Sequence, residues 1–216
     1  MRPPTAPDAD APASGAPASG APAGSAPTTS SPGAVAAGVA GVAGVAGGSA
    51  RAHKVAEEAR RLLEEEGPEA LTMRRLAERL GIRAPTLYKH LPDKAAVEAA
   101  IIATGLEEAA QVFEAAVDGA DDPLSALAAA YRGFALAHPH LYRLMSNGPL
   151  PRHRLPPGVE DRAAAPVLRV AGTQARARAL WAFAHGMVML ELDHRFPPDA
   201  DLDAAWQAGL SAFRSP

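Results

Sequence analysis

Cysteine is absent from all 216 residues, which excludes disulfides, thiolate zinc sites, iron–sulfur clusters and catalysis by a cysteine nucleophile, and fits a reducing cytosol. Neither sign of charge dominates: 21 Lys and Arg stand against 24 Asp and Glu, so bulk composition points to no nucleic-acid partner and charge must be read locally. Long apolar runs are missing too. The stretch Gly33 to Gly48 is sixteen residues of Gly, Ala and Val, too short and too weakly apolar to span a bilayer, and reads as a linker. Met1 to Asp10 is proline-rich and carries Asp8 and Asp10 where a secretory leader would place basic and then apolar residues; a cytoplasmic protein without membrane association is expected. The chain has no P-loop, GxSxG, HExxH or dinucleotide-type glycine turn, so no enzyme is expected. His138, His140, His153, His185 and His194 include no i, i+4 ligand pair on a clear helix; no metal and no cofactor are expected.

What is present falls into two compositional regimes. From Pro7 to Pro32 a proline recurs every fifth residue among Ala, Ser and Gly, and three Val-Ala-Gly units follow from Val39. Such sequence buries no core, because proline removes backbone donors and glycine raises the entropy cost of ordering; residues 1–50 are expected to be a disordered tail. At Arg51 the pattern changes to runs of helix formers with no sustained two-residue alternation, so the remainder reads as all-α. Helices are expected over Arg51 to Glu66, from the Thr72 cap to Leu80, from Pro85 to near Leu91, and from Lys94 through Val117. Asp122-Pro123 is a cap followed by a helix-opening proline, launching a helix to His138, and His140 to Ser146 forms another. Asn147 to Gly158 holds four prolines and reads as an exposed loop; helices follow over Arg162 to Val170, Gln174 to Phe196 and Asp201 to Arg214.

The sharpest signal is LTMRRLAERLGIRAPTLYKHLPDK, residues 71–94. Leu76, Leu80, Ile82 and Leu87 can close a miniature core, Ala77 is small where two helices must approach, and Gly81 sits where a turn requires positive φ. These are the requirements of a helix-turn-helix whose second helix projects outward. Thr72 to Lys94 contains six Lys and Arg against two acids, whereas residues 95–216 contain ten against fourteen, so the positive charge is concentrated where DNA would dock.

This segment resembles the head of the tetracycline-repressor (TetR) family, whose recognition helix carries T-L-Y-x-H followed shortly by a lysine, as in Thr86-Leu87-Tyr88-Lys89-His90 and Lys94. The likeness covers about residues 51–100. It implies that Thr86, Tyr88, His90 and Lys94 bind backbone phosphate, that Arg74, Arg83, Ala84 and Pro85 face base edges, and that Lys89 serves either purpose. Leu91 departs from the family's commoner aromatic and is expected to affect packing beneath the recognition helix. Trp181-Ala-Phe-Ala-His185-Gly186 with Leu190-Glu191, and HPHLYRLM at 138–145, resemble the tryptophan-histidine-glycine subgroup of TetR effector domains.

The resemblance implies a three-helix DNA-binding head over residues 51–95 and, over 96–216, a helical-bundle body that dimerises through its last helices and binds a small molecule. Trp181, His185 and Met189 share a helix face and are candidates to line the effector cavity; the same residues serve equally as core packing. Apolar residues from Leu180 to Phe213, among them Phe183, Met187, Leu190, Trp206 and Leu210, exceed what one layer needs, which points to a homodimer. The expected partners are a palindromic double-stranded DNA operator and a small, largely apolar effector. The competing reading is a helical scaffold whose head no longer reads DNA.

Overall fold

The computed structural model describes residues 42–214, and every regular element among them is helical: α1 (Val42–Glu66), α2 (Met73–Arg79), α3 (Ala84–Tyr88), α4 (Lys94–Val117), α5 (Pro123–Ala137), α6 (Pro139–Ser146), α7 (Val159–Ala171), α8 (Gln174–Leu192) and α9 (Leu202–Ser211). Helix α1 starts nine residues ahead of the expected Arg51, so the segment read as tail contributes its last nine residues to a helix. No proline lies between Pro32 and Pro68, so nothing blocks propagation backwards from the strong helix formers after Arg51, despite Gly44, Gly47 and Gly48. The expected disorder of residues 1–41 lies outside the described residues.

Helix starts follow local capping chemistry. Thr72, Asp93, Asp122, Thr173 and Asp201 each accept a backbone N–H from the residue three ahead, at 2.7–3.3 Å. Helix α8 ends at Leu192 rather than near Phe196, because Asp193 closes it and His194 takes a left-handed φ of 51°. Helix α7 begins three residues ahead of its expected start, and Pro166 is built into its interior and buried.

One apolar cluster runs from the head into the body without a break, from Leu62, Leu63, Leu76 and Leu87 through Ile101 and Phe113 to Tyr131, Leu180 and Trp206. Helix α4 belongs to both halves: it packs on α1 and also on α5, α6 and α7. Polar contacts brace the same joint, with Arg60 of α1 paired to Glu108 of α4, and Glu64 of α1 accepting the backbone N–H of Leu141 at the start of α6 at 2.9 Å. Helices α8 and α9 close through Gly209, where a Cβ would fall 2.1 Å from the Phe183 ring. No helix among the described residues is long and apolar enough to cross a membrane.

Candidate nucleic-acid interface

In the head, burial separates packing residues from presenting residues cleanly. Leu76, Ala77, Leu87 and Leu91 are buried, with Leu87 0% exposed. Gly81 has φ +63°, which lets the chain reverse between α2 and α3 where a side chain would be strained. Pinned through Leu87, α3 turns its other faces outward: Arg83, Pro85, Thr86, Tyr88 and Lys89 are exposed, and Ala84 and His90 are half-buried. Tyr88 is 48% exposed, well beyond what an aromatic retained for packing would show. Lys94, exposed in the first turn of α4, joins the same ridge and meets Glu98 one turn on at 3.6 Å.

Not every cation of the motif is available to a ligand. Arg79 donates to Glu58 (2.9 Å), Glu65 (2.7 Å) and Glu66 (3.1 Å), and Arg75 forks onto Glu66 at 3.0 and 3.1 Å. Both guanidiniums therefore clamp α2 to α1, and Arg75 holds the Glu66 carboxyl below its usual range. Arg74 does not join this clamp: its side chain is 90% exposed, and among the described residues its one ion pair is with Glu78 on its own helix at 3.0 Å. So exposed a pair is worth little and is readily given up to a stronger partner. Arg83 and Lys89 have no ion pair among the described residues.

In the body, Trp181 and His185 come together with ring centroids 5.8 Å apart, and His185 Nδ1 lies 2.8 Å from the Tyr142 hydroxyl, itself 2.8 Å from that of Tyr131. Burial pushes the His185 imidazole below its usual pKa and the Tyr131 and Tyr142 hydroxyls above theirs, so all three groups are neutral at pH 7. An apolar cavity of about 20 Å³ lies alongside, lined by Leu124, Leu127, Tyr131, Val167, Leu180 and Trp181. Of the three candidate effector residues Trp181 reaches this cavity, His185 sits at the end of the hydroxyl chain, and Met189 packs against the core. Among the described residues no group of three His, Asp or Glu is arranged to hold a metal ion.

A family model described as bacterial regulatory proteins, tetR family, matches residues 56–101, and one described as tetracyclin repressor-like, C-terminal domain, matches residues 124–213. An uncharacterized HTH-type transcriptional regulator of Mycobacterium tuberculosis is 32% identical over 170 residues, covering 70% of this chain and 74% of that protein. The chain belongs to the TetR family. Among solved structures, a TetR variant from Acinetobacter baumannii AYE in complex with minocycline is similar at 25% identity and TM-score 0.53, over 75% of this chain and 97% of that one. A protein of unknown function from Rhodococcus sp. RHA1 shares the fold at 23% identity and TM-score 0.62, over 75% and 92%.

As a TetR-family protein the chain is a DNA-binding transcriptional regulator, with a helix-turn-helix head and an all-helical body. Two features of this regulator are invisible to motif reading. The first is the acidic anchor Glu58, Glu65 and Glu66, whose i, i+7 and i+8 spacing along α1 was the available signal. The second is Arg154 on the loop between α6 and α7, which forks onto Asp93 at 2.8 and 3.2 Å across 61 residues of sequence.

Proposed function

We propose that the regulator is a cytoplasmic repressor that grips a palindromic operator as a homodimer and releases it when a small, largely apolar effector enters the body. In this reading α3 lies in the major groove. Arg74, Arg83, Ala84 and Pro85 face base edges, Thr86, Tyr88, His90 and Lys94 hold phosphates, and Lys89 reaches either. The observation that carries it is the exposed ridge formed by Thr86, Tyr88 and Lys89, on or at the end of a short helix pinned from behind by Leu87, together with Lys94 in the first turn of α4.

Dimerisation is supported by the outward face of α8, which presents Ala175, Ala179 and Ala182 with half-buried Gly186, while exposed Ala204 and Ala208 stand one turn apart on α9 and exposed Ala212 follows at its end. Small residues let helices of two subunits approach closely. The larger apolar residues of these helices mostly turn inward: Leu180, Trp206 and Leu210 are buried within the subunit, and Leu190 and Trp181 are exposed. Effector uptake is assigned beside Trp181 and His185, in the stretch that follows the tryptophan-histidine-glycine pattern. The 20 Å³ cavity is water-sized, whereas ligand sites run to roughly 300–1,000 Å³, so binding requires the helices around Val167 and Leu180 to part. That movement is the differential contact through which an effector lowers operator affinity.

The test separates positioning from reading, using an operator selected by the protein from a randomised duplex library. Lys94→Ala should weaken all duplexes alike and lower the salt slope by about 0.9 per lost phosphate contact, roughly two per dimer. Arg74→Ala should lose about 1–3 kcal/mol per half-site on the operator while nonspecific binding is retained. An unchanged salt slope for the first, or an unchanged specificity ratio for the second, refutes the corresponding role.

A further inference from the structure

The start of α4 carries an unusual convergence of charge. Asp93 caps the helix, its Oδ1 accepting the Ala96 backbone N–H at 2.7 Å. The same carboxylate takes two hydrogen bonds from Arg154, Nη1 to Oδ1 at 2.8 Å and Nη2 to Oδ2 at 3.2 Å, and this guanidinium holds the Asp93 carboxyl below its usual range. Lys94 is the next residue and pairs with Glu98 at 3.6 Å. With Arg154 docked the corner sums to zero, two cations against two carboxylates. Without it the corner carries one net negative charge, immediately beside the lysine assigned to a DNA phosphate.

The loop that delivers Arg154 is built to hold it there. Pro149, Pro151, Pro156 and Pro157 fix φ at four of its twelve positions, which lowers the entropy lost on docking. Arg152 to Arg154 form one 3-10 turn, Arg152 Nε is braced on Glu160 of α7 at 3.0 Å, and Val159 beyond the loop is buried. One end of the segment is thus tied to the body helix α7 and its middle is hooked on the helix that leaves the DNA-binding head. Arg154 Nε is also within 3.3 Å of His153 Nε2.

We propose that Arg154 is a positioning residue for DNA binding: through its fork onto Asp93 it cancels a charge that would repel the phosphate beside Lys94, so operator affinity depends on the α6–α7 loop being docked. The inference rests on the assignment of Lys94 to phosphate. It adds a second route by which the state of the body reaches the head, through charge at a helix start rather than through the separation of two heads. An isolated exposed ion pair contributes little to folding, so the effect belongs to binding.

The experiment measures operator affinity of the full-length protein, with the library-selected duplex, for Arg154→Ala, Asp93→Asn, the double variant and Lys94→Ala. At about 0.1 M salt Arg154→Ala should bind roughly fivefold more weakly per dimer, from one uncompensated charge per head acting through water. Its melting temperature should stay within about 2 °C of the parent. Asparagine retains the helix cap without the charge, so in the double variant the corner again sums to zero and binding should return to within about twofold of the parent. Unchanged affinity for Arg154→Ala overturns the proposal. A double variant as weak as Arg154→Ala alone overturns it too, because the Asp93 charge would then not be what Arg154 cancels. If Lys94→Ala leaves affinity and salt slope intact, the phosphate assignment fails and takes this inference with it; if Lys94→Ala weakens binding while Arg154→Ala does not, only the Arg154 role is lost.

Discussion

Two glycines report whether α8 meets a second subunit. Gly133 lies midway along α5 and Gly186 along α8, and a Cβ built at either meets nothing within 4 Å of its own chain. Within a lone subunit both changes to alanine should therefore stabilise, each by roughly 0.8–1 kcal/mol from helix propensity. A gain of that size raises Tm by about 2–4 °C in a domain of this length. The expectation reverses for Gly186 if its face, lined by Ala175, Ala179 and Ala182, is where two α8 helices cross. Added methyl groups at a close crossing cost about 1–3 kcal/mol each, and a twofold dimer brings two of them together. Helix propensity favours the folded subunit whether free or paired and leaves the dimer constant alone; two methyl groups at the low end of that range cost about 2 kcal/mol together, about a thirtyfold weaker dimer. Sedimentation over a micromolar concentration series measures the dimer constant, and urea unfolding at fixed concentration measures stability. If Gly186→Ala is as stabilising as Gly133→Ala and the dimer constant does not move, α8 is not the close crossing.

Tyr142→Phe removes the hydroxyl lying 2.8 Å from both Tyr131 Oη and His185 Nδ1, leaving buried Tyr131 and half-buried His185 each short of a partner; a loss of about 1–3 kcal/mol in urea unfolding is expected, and no loss would mean those groups find other partners. The Arg214 guanidinium and the Ser125 backbone N–H hold the Asp122 carboxyl at about 2, below its unfolded value, so its contribution is complete above the ordinary carboxylate range and is lost as pH falls towards 2. Asp122→Asn should flatten the acid-side fall in Tm, and an identical fall contradicts the assignment. Burial lowers the His185 pKa, so the folded state binds its proton less readily than the unfolded chain and stability drops as pH falls below the ordinary histidine range. Its imidazole should titrate by NMR with a midpoint below about 6.5, and a midpoint above that refutes the burial argument.

The parts of the molecule governed by neighbours in sequence are legible without coordinates. Thr72, Asp122-Pro123 and Pro139 mark helix starts because capping and fixed φ act within four residues, and the 71–94 motif carries its own turn, core and exposed ridge. Contacts between distant segments are not. The local excess of positive charge over Thr72 to Lys94 overstates what is free to meet a ligand, since Arg75 and Arg79 turn back onto Glu66, Glu65 and Glu58 of α1. Nothing in the proline-rich loop announces that Arg154 would find Asp93, because a side chain's partner across 61 residues is decided by the packing of α4 against α7. Periodicity puts Trp181, His185 and Met189 on one face, but it does not say which of them meets a cavity and which meets the core.

The chain has only two tryptophans, and their surroundings are opposite: Trp206 is 4% exposed with its indole N–H on Glu191 at 2.7 Å, while Trp181 is 53% exposed and stacked on His185. The protein therefore carries two built-in fluorophores of different emission, one shielded and one accessible to quenchers. Acrylamide quenching of the parent against Trp206→Phe isolates the Trp181 signal, and any compound entering beside it or any surface covering it alters that signal while the buried indole stays constant. The same optical contrast allows effector screening and assembly to be followed on the unlabelled protein, without knowing the operator in advance.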